Sequence, residues 1–212
     1  MLKIAIDSGH GLHTPGKEVP SYIGLGKIKE WTLNDKITTK LISMLTQYED
    51  VKVLRLDDPT GKKDVSLSER SQKANNFKAD ICISNHHNAG IGGKNGGGLV
   101  IYRYPNSTKF TKNMQRLLYD CLIAETGLKG NRASPLAESN LHMVRAPKMP
   151  AVLIEHGFMD SHSDMAEIKK EDFSTKSARG IVKFLEKQYG IKKKKESVNQ
   201  LDLYRVRKSW AD

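Results

Sequence analysis

Cysteine is scarce in this chain: Cys82 and Cys121 are the only two, and neither belongs to a CxxC pair. That argues against a thiolate metal site and a dithiol redox motif. Both sit in apolar patterns, a strand-like run for Cys82 and a helix-like one (Met114, Leu117, Leu118, Leu122) for Cys121, so both read as buried, hydrophobe-like thiols. No stretch approaches 18 uninterrupted apolar residues, which predicts no membrane insertion. The first apolar run is cut at Asp7 and no small-residue cleavage site follows, so no signal peptide is expected. The expectation is synthesis in the cytoplasm, with any role outside depending on another route across the membrane. Local catalytic motifs are also missing. Without an HExxH segment, a metal site would have to be assembled from distant residues.

Positive charge, by contrast, is plentiful. The net charge is +11, and residues 191–212 hold seven cations against three acids, a net +4 that leaves +7 for the first 190. A polyanionic partner would explain this. Nucleic acid is disfavoured, because no recognised nucleic-acid motif is present and aromatics are not interleaved with the basic residues. An anionic cell-wall polymer fits equally well.

Residues Asp80–Ala89 organise the rest. A short apolar run (Ile81, Cys82, Ile83) turns abruptly into Ser84-Asn-His-His-Asn88. The apolar part predicts a strand buried on both faces, and its polar end puts imidazoles at the carboxyl edge of a sheet, where open α/β folds place their sites. Other strands are expected at Leu2–Ile6, Val51–Leu56, Leu99–Tyr102, Leu141–Val144 and Ala151–Glu155. Helices are expected over Trp31–Tyr48, Ser68–Phe77, Lys109–Thr126 and Thr175–Tyr189, from three- and four-residue apolar spacing, with Gly127 and Gly190 as stops. Residues 131–140 read as loop, 161–173 as loop and short helix, and the glycine-dense 92–98 as a mobile loop. Strands alternating with helices imply an α/β domain with a largely parallel sheet and helices on both faces.

Three of these strands end in residues able to do chemistry: His10, His86-His87 and Glu155, while Glu30 stands where a loop enters the first helix. Two imidazoles and a carboxylate at one sheet edge are the ligand set of a catalytic zinc, with a second carboxylate as general base. Singly, each also fits a bland role: a hydrogen-bonded structural histidine, or a helix N-terminal acid favoured by the dipole. On pattern alone both readings stay open.

Five blocks, in order over roughly residues 2–190, tip the balance: Ile4-Ala-Ile-Asp-Ser-Gly-His-Gly11, Glu30-Trp-Thr-Leu-Asn34, Leu67 through Arg70 to Ala74-Asn75, Ser84-Asn-His-His-Asn-Ala89 and Pro150-Ala-Val-Leu-Ile-Glu-His-Gly-Phe158. In them the chain resembles the zinc-dependent N-acetylmuramoyl-L-alanine amidases of the Amidase_3 type, found in phage endolysins and bacterial autolysins. The resemblance implies a three-layer αβα domain around a mixed, mostly parallel sheet of about six strands. It further implies that His10, Glu30 and His86 bind one Zn2+, and that Glu155 is the catalytic carboxylate for cleaving the amide between N-acetylmuramic acid and L-alanine of peptidoglycan. His87 and Asn85 depart from the family, which often has Ala and Ile there. Strand alternation puts His86 with Ser84 and His87 on the other face, which leaves His87 a neighbour rather than a ligand. Asn88 is expected to hold a ligand in place, and His13, His142, His156 and His162 are expected to be non-ligands, His156 being next to Glu155 and able to tune it. The loops 11–29 and 92–98 are expected to flank the substrate groove.

These implications divide the chain into a catalytic domain at 1–190, a basic linker at 191–200, and at 201–212 the start of a truncated C-terminal wall-binding module, with Leu201–Trp210 read as its first strand. Competing readings are a zinc peptidase or deacetylase acting on wall material, and a non-catalytic wall- or nucleic-acid-binding module. A monomer is expected. The setting that fits is a phage endolysin released by a holin, with a mother-cell lysin late in sporulation as the second.

Overall fold

In the computed structural model, which describes residues 1–195, six strands form one sheet in the order β2-β1-β3-β6-β4-β5. They are β1 (Leu2–Ser8), β2 (Val51–Arg55), β3 (Ile81–Asn88), β4 (Val100–Arg103), β5 (Leu136–Glu138) and β6 (Ala151–Phe158). β2, β1, β3 and β6 run parallel. β4 lies antiparallel to β6 and carries β5 parallel beside it, so the sheet is mixed and mostly parallel.

Helices cover both faces because strand alternation makes both faces apolar. Ile4, Ile6, Ile81, Ile83, Val152 and Ile154 pack toward α1 (Glu30–Leu45), α3 (Lys109–Thr126) and α6 (Phe173–Tyr189) in the main core. Ala5, Cys82 and Leu153 face the smaller layer of α2 (Leu67–Phe77) and α4 (His142–Arg145). α5 (His162–Ile168) follows β6. Gly127 and Gly190 end α3 and α6 in left-handed caps, as their positions in the sequence predict. Cys82 and Cys121 are both buried free thiols.

Some local expectations fail. Residues 141–144 were expected as strand, yet His142–Arg145 is a helical turn, closed by Val144 and Arg145 N–H groups donating to the Leu141 carbonyl. Met143 and Val144 reach the α2-side core from that turn, so tertiary burial outweighs the β preference of Val. The strand is instead Leu136–Glu138, inside a stretch expected as loop. It is three residues long at the sheet edge, with neither length nor alternation to announce it. β6 runs past its expected end, to Phe158, while β3 ends at Asn88, at the close of its His-His-Asn run.

The glycine-dense loop is tied down rather than free. The Asp160 carboxylate accepts from the N–H groups of Gly90, Ile91 and Gly92, and Asp164 accepts from Gly98. At the other end, Ile191 packs on the main core, and the Lys192 carbonyl and Lys194 N–H pair with Glu49 and Gln47. The first residues of the expected linker therefore dock on the α1–β2 turn. The expected strand at Leu201–Trp210 lies outside the described residues. Among those described, no helix is long and apolar enough to cross a membrane.

Candidate metal centre

The carboxyl ends of β1 and β3 and the first turn of α1 meet at one sheet edge. There His10, Glu30 and His86 each offer a donor atom, all within 4.8 Å of one another. Glu30 Oε1 sits between the rings, 3.3 Å from His10 Nε2 and 3.2 Å from His86 Nδ1. The two rings lie edge to face with centroids 4.9 Å apart. Burial of Glu30 would raise its pKa, but the hydrogen bonds from the two histidines outweigh it and hold the carboxyl well below the usual carboxylate range. Burial in turn pulls the His86 imidazole down, and the anionic Glu30 and Glu155 beside it more than reverse that, for a net upward shift.

Why these side chains converge is local chemistry. His10 has a left-handed backbone, φ 68°, unusual for a residue with a Cβ. Arg70 on α2 holds that turn. Its guanidinium, 1% exposed, donates to the Ser8 carbonyl at 2.6 Å, the His10 carbonyl at 2.8 Å and the Asp7 carboxylate at 2.6 Å. Asp7 in turn accepts from Ser84 Oγ at 2.6 Å, locking β1 to β3. Gly9 is required by close approach: a Cβ there would stand 1.9 Å from the His86 ring. On α1, one turn after Glu30, Asn34 donates to the Gly9 carbonyl at 3.1 Å and, more weakly, to Glu30 Oε1 at 3.5 Å.

Glu155 completes the edge. It pairs in register with His86 across the β3–β6 ladder, hence on the same face of the sheet. Its Oε2 is buried and has no hydrogen-bond partner among the described residues. Burial raises its pKa; the cationic tendency of His86 opposes and Glu30 adds to the rise, for a value of about 7.

The strand alternation expected for the histidine pair is present. His86 faces the Arg70 side, and His87 turns to α1, where its Nδ1 lies 2.8 Å from Asn34 Oδ1. Burial pushes His87 down to about 4 and His156 well below the ordinary imidazole value, so both rings are neutral near pH 7. His156 bonds to Asn85 at 3.0 Å, and Asn85 donates to Thr38, which accounts for Asn85 where the family often has Ile. His142 bonds to Ser71, and His13 and His162 are exposed. Asn88 does not hold a donor residue: its amide oxygen accepts from the Ala89 N–H, and the residue beside Glu30 is Asn34.

Sequence reasoning passed over three contributors. Arg70 and Asn34 lie within the quoted blocks, but a buried guanidinium and a helical amide carry no periodic signal. Lys17, in the 11–29 loop, brings its Nζ to 4.0 Å from Glu30 Oε2, and its carbonyl accepts from the Glu30 N–H. That loop therefore reaches the site. The 92–98 loop meets the 11–29 loop, a Cβ on Gly93 falling 3.4 Å from the Tyr22 ring.

The fold and the edge site together define an α/β domain with a His-Glu-His donor set and, beside it, a carboxylate whose buried Oε2 has no partner among the described residues. Comparison with known proteins gives the family. A family model described as N-acetylmuramoyl-L-alanine amidase (Amidase_3) matches residues 4–187, and the chain belongs to that family. A sporulation-specific N-acetylmuramoyl-L-alanine amidase of Bacillus subtilis is 35% identical over 207 residues, covering 97% of this chain and 74% of that protein. An endolysin of Bacillus phage SPP1 is 33% identical over 193 residues, 89% of this chain and 66% of that protein. Among solved structures, an N-acetylmuramoyl-L-alanine amidase from Clostridium difficile 630 superposes with a TM-score of 0.79 at 28% identity, over 89% of this chain and 97% of the other. The catalytic domain of an amidase from Bacillus (Paenibacillus) polymyxa var. colistinus gives 0.77 at 25% identity, over 91% and 100%.

Proposed function

We propose that the protein hydrolyses the amide joining N-acetylmuramic acid to L-alanine in peptidoglycan, using one zinc ion held by His10, Glu30 and His86. The carrying observation is the donor set within 4.8 Å, in a chain of this family, with Glu155 on the adjacent strand and the same face. Two imidazoles and one carboxylate are a donor set suited to zinc with a position left open, and the partnerless Oε2 of Glu155 is the kind of buried atom such a site leaves for a reacting group. A zinc ion there would supply Lewis acidity toward the scissile carbonyl.

The chain's own residues do the rest. Glu155, as carboxylate, accepts a proton from the attacking water, then returns it to the alanine nitrogen, because an amine leaves only once protonated. Without a metal, burial lifts this carboxyl to about 7, and a divalent cation beside it would favour the carboxylate, the form that accepts the water's proton. Asn34 orients Glu30, and Arg70 fixes the His10 turn. We assign this activity to residues 1–190 and read its biological use at the level shared by the autolysin and endolysin relatives, breakdown of the cell wall.

Mass spectrometry of digested peptidoglycan tests the reading. Intact stem peptides beginning with L-alanine are expected. Peptides cut internally, or acetate released from intact strands, would give the peptidase or deacetylase reading instead. Metal analysis should find about one zinc per chain.

A further inference from the structure

Glu155 stands where the ladders of β6 break off. On one side it pairs with His86 of β3, and between there and the Asn88–Phe158 pair β6 carries one residue more than β3, a bulge at His156–Gly157. Gly157 has φ 120°, and a Cβ on it would come within 2.8 Å of the Leu128 side chain, so the bulge requires glycine. On the other side Glu155 pairs with Val100 of β4, at the end of an antiparallel run from Tyr102–Leu153. Continued by two residues, that register would set Gly98 against Gly157, where the bulge takes β6 out of line.

One side-chain oxygen closes this gap. The N–H groups of Leu99 and Ile101 point away from β6, to the Leu128 and Pro135 carbonyls, so the Gly98 N–H points toward β6. There it meets Asp164, whose Oδ2 accepts from Gly98 at 2.7 Å and from the Phe158 N–H at 2.9 Å. Asp164 is 2% exposed and lies in the first turn of α5, its own N–H donating to Ser161 Oγ. A side chain at this place in a helix often turns back to its own N-cap; this one is committed to two strand ends instead.

We propose that Asp164 is a positioning residue for Glu155. Tying the end of β6 to the start of β4, it takes over the work of the ladder beyond Glu155 and fixes the backbone from which that side chain projects. Resting on the amidase reading above, its role is to hold the proton-accepting carboxylate in reach of the attacking water. The donors His10, Glu30 and His86 come from β1, α1 and β3, none of which the Asp164 carboxylate bonds, so the metal centre itself should be indifferent to it.

The test compares the full chain, zinc-loaded, with Asp164→Ala, confirmed folded by its melting curve and assayed well below the transition. On muropeptide, kcat should fall about 10–100-fold with KM and zinc affinity unchanged, because displacing one reacting group by about 1 Å costs that much while ground-state contacts persist. Asp164→Asn keeps an oxygen for both N–H groups and should recover most of the lost kcat. In a Glu155→Gln background, Asp164→Ala should cost less than about threefold, since a residue acting through Glu155 then has nothing left to position. Should Asp164→Ala not fold, Asp164→Glu replaces it: the charge stays, the oxygen moves by one methylene, and kcat should drop about tenfold. Independently of turnover, the Glu155 carboxyl carbon resonance should shift when zinc is added to the parent, and much less in the variant. An unchanged kcat in the folded variant, an equal loss in the Glu155→Gln background, or a parallel loss of zinc affinity would overturn the proposal. A parent that frees no stem peptides from wall sinks the amidase reading, and the zinc-induced shift then decides the positioning role alone. Normal wall hydrolysis by the parent with identical shifts in both proteins does the reverse.

Discussion

At the scale of single residues, environment decides what each carboxylate does. Glu30 and Glu155 stand at the same sheet edge, yet hydrogen bonds from two imidazoles keep the first ionised while burial without a partner lifts the second to about 7. Glu155→Gln should retain zinc by metal analysis and lose most wall hydrolysis in a turbidity assay. The same variant has a stability signature. A folded-state value above the unfolded 4.5 means that the folded protein binds this proton more tightly, so stability falls as pH rises from about 4.5 through 7. In the metal-free protein, Glu155→Gln should therefore unfold at higher denaturant at pH 8, by on the order of 1–3 kcal/mol, and equal the parent near pH 4. Equal stability of the two at pH 8 would contradict the raised value. Asn34→Ala leaves His87 Nδ1 unpaired and frees Glu30 on one side. A loss of about 1–3 kcal/mol in stability and of roughly 10–100-fold in zinc affinity, read by chelator competition, is expected.

At the scale of elements, the site depends on α2 gripping the end of β1. Arg70 is nearly the whole of that grip, with donor contacts to Val65, Ser8, His10 and two aspartates. Replacing it by Met removes one member of a buried ion pair and leaves Asp7 uncompensated, which costs about 3–5 kcal/mol in such cases. Denaturant unfolding should show that loss, and zinc affinity should fall with it because the left-handed turn at His10 is released. Gly9→Ala acts on the same turn by steric exclusion of the His86 ring, so it should abolish zinc binding in a protein that keeps its helical circular dichroism signal.

At the scale of the whole molecule, the donors come from β1, α1 and β3. Any ligand that joins them stabilises the folded state by mass action, about 2.7 kcal/mol at a hundredfold excess over Kd. For a domain of this size that corresponds to a rise of roughly 5–10 °C in Tm on adding zinc to chelator-treated protein, measured by calorimetry. Calcium should give little, since it prefers six to eight oxygen ligands.

The sequence by itself determined a good deal: the α/β class, the four parallel strands, the long helices with their glycine stops, and, through five ordered blocks, the family. Those features are written locally, in apolar periodicity and in residue types that few backbones require. Even the choice between His86 and His87 for the outer face follows from the two-residue period of a strand. What the tertiary structure alone decided is of another kind. The edge strand at 136–138 and the turn at 142–145 exchange places because pairing with β4 and burial against α2 outweigh local preference. Arg70, Asn34 and Lys17 gain their meaning only once residues distant in sequence, up to 63 positions apart for Arg70 and Asp7, are brought together. Periodicity records which way a side chain faces; which partner it meets there is fixed by the packing of the finished fold.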